Sequence, residues 1–238
     1  MTGYPDDCLQ QLVCDGQQWW IEDKKTPSLG SLVKAFIPTV DRRPYTFEVV
    51  GRSEPTRHGS AEVKVAPLPI AKKLKQVQLP VAAMPLNDGE LWGAYRVKFR
   101  PCLLLSTLPE PIPKQPGKAN YQTARHVMVA PYYGVERGRS RMGYSAAFIE
   151  CVRHCQYPGF FWDKLPITGA EESLLRIDQA QPIGADYNSY KTTGYRLCDE
   201  GVEMIEDLFA FSRFGELPEG TVSMFIDEMA DHFNTQSR

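Results

Sequence analysis

Glu172–Gly184 reads ESLLRIDQAQPIG. Its first part alternates: Leu175 and Ile177 fall on one face of an extended strand, and Arg176 and Asp178 fall on the other. One face can enter a core while a guanidinium and a carboxylate project side by side. Such a pair suits proton transfer and phosphate binding. It equally suits an ordinary surface ion pair, which contributes little to stability. Two-residue spacing leaves both readings open.

Two other stretches extend the pattern towards the N-terminus. Gly89–Ser106 reads GELWGAYRVKFRPCLLLS, and His126–Gly134 reads HVMVAPYYG. Taken in order with ESLLRIDQAQPIG, they resemble the MazF/PemK family of toxin endoribonucleases. The first is similar to that family's opening: a G-E/D-hydrophobic-W strand, a loop, then R-P and a hydrophobic strand. The second is similar to its hydrophobic strand ending in an A/V-P turn. The third is similar to its late strand, which closes on D/E-Q. A linker, a helix-starting turn at Leu197, Cys198 and Asp199, and an amphipathic helix follow in the family's order. The resemblance covers residues 87–214.

The resemblance implies an α+β fold: a small SH3-like antiparallel β-barrel of the MazF/PemK type. To this the chain adds a helical insertion at 143–156, an N-terminal β-rich extension over 1–86, and C-terminal helices, with 87–238 as the barrel domain. The implied activity is metal-independent cleavage of single-stranded RNA. A base takes the ribose 2′-OH proton, the oxygen attacks the adjacent phosphate, an acid protonates the leaving 5′-oxygen, and arginine stabilises the phosphorane. By the same resemblance Arg176 and Asp178 match the acid and base of the plasmid-borne branch. Arg100 matches the phosphate-binding arginine of the chromosomal branch. Tyr133 stands in the turn slot where that branch uses Thr or Ser. The implied partners are single-stranded RNA and an antitoxin or other protein; a homodimer is open to such a chain, and no cofactor is implied. The alternative is a catalytically inactive module of the same fold that binds a protein or nucleic-acid partner.

Composition narrows the classes. The chain has 238 residues, 42% hydrophobic and 24% charged, as in an ordinary globular protein. The formal net charge is -2 and the pI is about 6.1, so any RNA contact must be a local basic patch. Arg137, Arg139 and Arg141 in VERGRSRM form the best such patch. No apolar run is long enough for a membrane span. MTGYPDDCLQQ lacks the apolar centre of a secretory signal, so a cytoplasmic location is expected. The six cysteines are then expected as free thiols. Cys151, His154 and Cys155 have ligand chemistry but no matching second pair, and no metal is expected.

Along the rest of the chain, Trp19 and Trp20 are expected to dock a short helix or loop on the body. Residues 31–70 read as strands, and 71–88 as a linker carrying Lys72, Lys73 and Lys75. Residues 107–120 are proline-rich and expected as loop. GYSAAFIECVRHCQ places Ala147, Phe148, Cys151, Val152 and Cys155 on one helical stripe. Phe160, Phe161 and Trp162 are expected to anchor this insertion rather than stack on bases. Residues 199–214 form an amphipathic helix with Asp199 as its N-cap, and Val202, Ile205, Leu208 and Phe209 on one face. Gly215 and Pro218 end it. A second helix over 221–233 carries Met224, Phe225, Met229 and Phe233.

Overall fold

The computed structural model describes residues 3–14, 17–40, 43–68, 90–113, 116–117, 123–136, 143–168, 172–185 and 188–236. The elements in order are α1 (Leu9–Cys14), β1 (Trp20–Glu22), β2 (Ser31–Pro38), β3 (Tyr45–Gly51), β4 (Glu62–Pro67), β5 (Gly93–Ala94), β6 (Val97–Leu104), β7 (His126–Gly134), α2 (Ala146–Arg153), β8 (Phe160–Lys164), β9 (Glu172–Arg176), a 3₁₀ turn (Ile177–Gln179), β10 (Gln181–Gly184), β11 (Tyr190–Leu197), α3 (Asp199–Phe214) and α4 (Thr221–Gln236). The protein is α+β, and every strand pair with a described register is antiparallel.

The chain divides into two compact units, Met1–Phe36 with Phe99–Arg238, and Ile37–Lys98. The boundary expected between 86 and 87, and the linker 71–88, fall outside the described residues. The smaller unit holds a three-stranded sheet in the order β4-β3-β5. The larger unit is built on a sheet in the order β1-β11-β2-β6-β7-β9-β8, with β10 also paired to β7. Among the described residues no pairing joins β1 to β8, so the expected closed barrel is not present; the sheet is open. The segment between β7 and β9 supplies both the helix α2 and the edge strand β8.

Registers explain which face each side chain takes. Tyr132 lies opposite Leu175, and Leu175 opposite Phe161. Directly opposed antiparallel residues share a face. These three are buried with Leu103, Ala130, Leu197 and Leu208 in the main core, where α3 covers the sheet. The other face carries Leu174 opposite Trp162, buried with Val152 of α2 and Val135. Both faces of β9 are thus covered at Leu174 and Leu175, and simple alternation misses this because α2 closes the second face. Asp178 is not on the strand at all: it sits in the 3₁₀ turn that follows.

The N-terminal segment is docked as its tryptophans suggest. Trp19 and Trp20 are buried, and β1 adds to the sheet edge beside β11. The helix α3 begins one residue earlier in role than expected: Cys198 is the N-cap, its Sγ accepting from the Gly201 N–H at 3.3 Å. Asp199 takes the first helical position, bonds Arg196 at 2.9 Å, and still opposes the positive helix end. Gly215 closes α3 in the left-handed conformation. On α4, Val222 and Phe225 are buried and Met224 is 65% exposed. On α2, Ala147 is exposed; Cys155, beyond the helix end, is buried in the main core.

Gly30 precedes β2 at φ 79°, donates to Leu104 O at 2.9 Å and accepts from Leu197 N at 3.0 Å. A Cβ there meets Val202 Cγ2 at 2.5 Å. Gly30→Ala is therefore expected to lower unfolding stability by about 2–4 kcal/mol, from left-handed strain plus overpacking. Urea denaturation checks it; a loss under about 0.5 kcal/mol, the size of an ordinary surface change, contradicts it.

Candidate functional site

Strand order brings the expected residues to one surface. Cys102 lies opposite Pro131 in the β6–β7 pair, and continuing that register sets Arg100 against Tyr133. Tyr133 lies opposite Leu174, and Arg176, two residues on from Leu174, lies opposite Phe160. Two-residue periodicity therefore puts Arg100, Tyr133, Arg176 and Phe160 on the α2-side face, beyond the end of the covered patch. Leucine and tryptophan fill that face beneath Val152 of α2; charged and half-buried groups take over towards its end, where Phe148 of α2 meets Phe160 edge-on.

The geometry is specific. The Arg100 guanidinium carbon sits 3.9 Å from the Tyr133 ring centroid. Arg176 approaches the same ring at 5.7 Å and the Phe160 ring at 4.5 Å. Guanidinium groups favour such aromatic faces. Arg176 also grips Asp178 at two points, Nε to Oδ1 at 2.7 Å and Nη2 to Oδ2 at 2.6 Å. The turn makes this possible. Ile177 and Asp178 both donate their backbone N–H to Gly159 O, at 3.0 and 3.2 Å, which folds Asp178 back over Arg176. The Tyr133 hydroxyl donates to Gln179 Oε1 at 2.6 Å.

Charge follows from these contacts. The Asp178 hydrogen bonds hold the Arg176 guanidinium above its already high pKa, against burial that pulls it down, with a smaller rise from Tyr144. An arginine so held is a fixed cation at neutral pH, not a proton source. Asp178 is the more open partner, with 38% of its side chain exposed against 19% for Arg176.

The expected residues divide accordingly. Arg100, Tyr133, Arg176 and Asp178 lie together. Arg137, Arg139 and Arg141 fall outside the described residues. Phe161 and Trp162 are buried, so they anchor the insertion, whereas Phe160 is half-buried beside Arg176. His154 Nε2 lies 2.9 Å from Asp7 Oδ2. Among the described residues no group of three or more His, Cys, Asp and Glu side chains is gathered for a metal ion, and no helix is long and apolar enough to cross a membrane.

Sequence reasoning passed over Gln179, which orients the Tyr133 hydroxyl, and Tyr144. It also missed Asp163, a fully buried carboxylate that accepts from Tyr4, Trp20 and Tyr132. Its signal was present: an acid inside the aromatic run FFWDK. No protein-family model, curated protein or solved structure matches the chain.

Proposed function

We propose that this chain is a metal-independent endoribonuclease, similar in chemistry to the MazF/PemK toxins, that cleaves single-stranded RNA by 2′-OH attack. One observation carries the reading: two guanidinium groups share the Tyr133 ring while a partly exposed carboxylate is locked beside one of them. Asp178 accepts the 2′-OH proton, using the lone pairs its bonds to Arg176 leave unused. The 2′-oxygen forms a bond to phosphorus, and the phosphorus–5′-oxygen bond breaks. Arg100 and Arg176 hold the phosphate and stabilise the added negative charge. The Tyr133 hydroxyl returns a proton to the leaving 5′-oxygen once substrate displaces its bond to Gln179. The two cations supply the charge that a metal ion supplies in other nucleases. Within this reading the open sheet is a derivative of the SH3-like barrel, with β8 added at the edge beside β9. The compartment is the cytoplasm, and the natural counterpart is an antitoxin-type protein that covers the site.

A second reading has its own support. Both Asp178 oxygens are engaged by Arg176 and the Tyr133 hydroxyl by Gln179, as in a rigid binding surface without turnover. Incubating the purified chain with long RNA in EDTA separates the two. The nuclease is expected to leave 2′,3′-cyclic phosphate ends and to spare a site whose scissile ribose is 2′-deoxy. Ends of another kind, or cleavage of the deoxy site, overturn the mechanism. RNA retained uncut across several sequences establishes the binding module instead.

A further inference from the structure

We propose that Tyr144, Phe148 and Tyr157 form a stacking platform for an unpaired RNA base next to the arginine pair, an inference that rests on the RNA reading above. The platform is built from the inserted segment. Ser145 caps α2 by accepting the Phe148 N–H at 3.2 Å, which brings Tyr144 over the first helical turn. The Tyr144 and Phe148 rings stack at 5.5 Å and 17°. Tyr157 arrives from the turn into β8, where Phe160 N donates to Tyr157 O at 2.8 Å, and stacks on Phe148 at 5.3 Å and 26°. Phe160 closes the group edge-on to Phe148 at 5.3 Å and 88°.

Packing accounts for Phe148 but not for Tyr157. Phe148 rests against the buried cluster of Val152, Trp162 and Leu174. Tyr157 remains 45% exposed, a flat ring held at the end of a stack. Single-stranded RNA is read in this way, by aromatic rings that take unstacked bases beside cations that take the phosphates. The cation here is fixed to the platform. Arg176 lies on the Phe160 ring, and Gly159, between Tyr157 and Phe160, accepts both N–H groups of the turn that carries Asp178. The base platform and the phosphate clamp are thus tied by the same backbone turn. A polyanion with π-faces matches both halves; an apolar peptide matches only the rings.

The test uses the full chain carrying Asp178→Asn, which blocks cleavage during binding. Fluorescence anisotropy compares a labelled single-stranded RNA with an abasic ribose-phosphate oligomer of equal length. The RNA is expected to bind roughly tenfold to a hundredfold tighter, the size of one stacked base. Tyr157→Ala is expected to erase that difference, and Tyr157→Trp to restore it, with unchanged circular dichroism for both. Equal binding of the two oligomers, an unaltered RNA preference in Tyr157→Ala, or binding of neither oligomer overturns the platform. Base-dependent binding through Tyr157 in a chain whose Asp178 form cuts nothing keeps the platform and removes the nuclease. Cleavage without base-dependent binding does the reverse.

Discussion

Asp178→Asn is expected to lower RNA cleavage by about a hundredfold or more, the contribution of a positioned general base. Asparagine keeps the volume and one acceptor for Arg176 but has no basic oxygen. Stability should hardly change. The Arg176–Asp178 pair is partly exposed at Asp178, and a pair so screened contributes at most about 1 kcal/mol. The packing of this segment rests on Leu174, Leu175 and Ile177, all buried. Arg176→Ala should cost a similar factor by a different route: it removes a charge from the phosphorane and frees Asp178 from its fixed orientation. Because the two act as a unit, the double variant should fall little below the worse single one. Rates come from single-turnover cleavage with end mapping. Equal rates for the parent chain and Asp178→Asn would place the chemistry elsewhere or in a contaminant.

Part of this candidate site was legible from spacing: Arg176 and Asp178 are two residues apart on an alternating run. Arg100 and Tyr133 were marked only by the family resemblance of the runs that carry them. What spacing could not supply was the turn at Ile177–Gln179. A strand would have projected Asp178 alongside Arg176. The turn instead folds it back into a two-point grip, through two N–H groups given to Gly159, which directly precedes β8. Gln179 and Tyr144 enter the site by the same tertiary route.

The fold divides along similar lines. The span of α3 was readable from its 3.6-residue apolar period, and its Gly215 end from the left-handed preference of glycine. Its N-cap was not: Asp199 is the better capping residue by type, but Cys198 occupies the capping geometry and bonds Gly201. The barrel expectation failed at closure. The inserted β8 pairs with β9 and occupies the sheet edge beside it, which strand periodicity alone does not reveal. The covering of both faces of β9 has the same origin, since α2 comes from that insertion.

Asp163→Ala is expected to destabilise the fold by several kcal/mol, whereas Asp163→Asn should be nearly neutral. The carboxylate is completely buried. Its Oδ1 accepts from Tyr4 at 2.9 Å, Trp20 Nε1 at 3.3 Å and the Lys164 N–H at 2.8 Å, and its Oδ2 from Tyr132 at 3.1 Å. Tyr4 has a second acceptor in Lys164 O, so alanine orphans the Trp20, Lys164 and Tyr132 donors. Each buried orphan costs about 1–3 kcal/mol, partly offset by removing a buried charge, for a net loss of about 3–5 kcal/mol. Asparagine can present its oxygen to the three donors at Oδ1 and its amide to the Tyr132 oxygen, which turns to accept. The charge itself is a burden at neutral pH. Burial raises the Asp163 pKa to about 6, against the lowering pull of its hydrogen bonds from Tyr4, Tyr132 and Trp20; the nearby Trp19 indole acts in the same direction without reaching hydrogen-bond geometry. The unfolded carboxyl titrates near its ordinary value of about 3.9. Between about pH 4 and pH 6 the folded state therefore holds a proton that the unfolded chain has lost. Stability from this group falls as pH rises through that window, by about 3 kcal/mol, and is level above it. Asp7, whose pKa is lowered by His154 and Arg153, contributes the opposite slope at lower pH. Comparing urea melts of the parent chain and Asp163→Asn across the window cancels Asp7 and isolates Asp163. The asparagine variant should gain on the parent as pH rises. A parallel pair of curves would mean that folding leaves the Asp163 pKa unshifted, and asparagine as damaging as alanine would mean that the negative charge itself holds the N-terminal segment to β7 and β8.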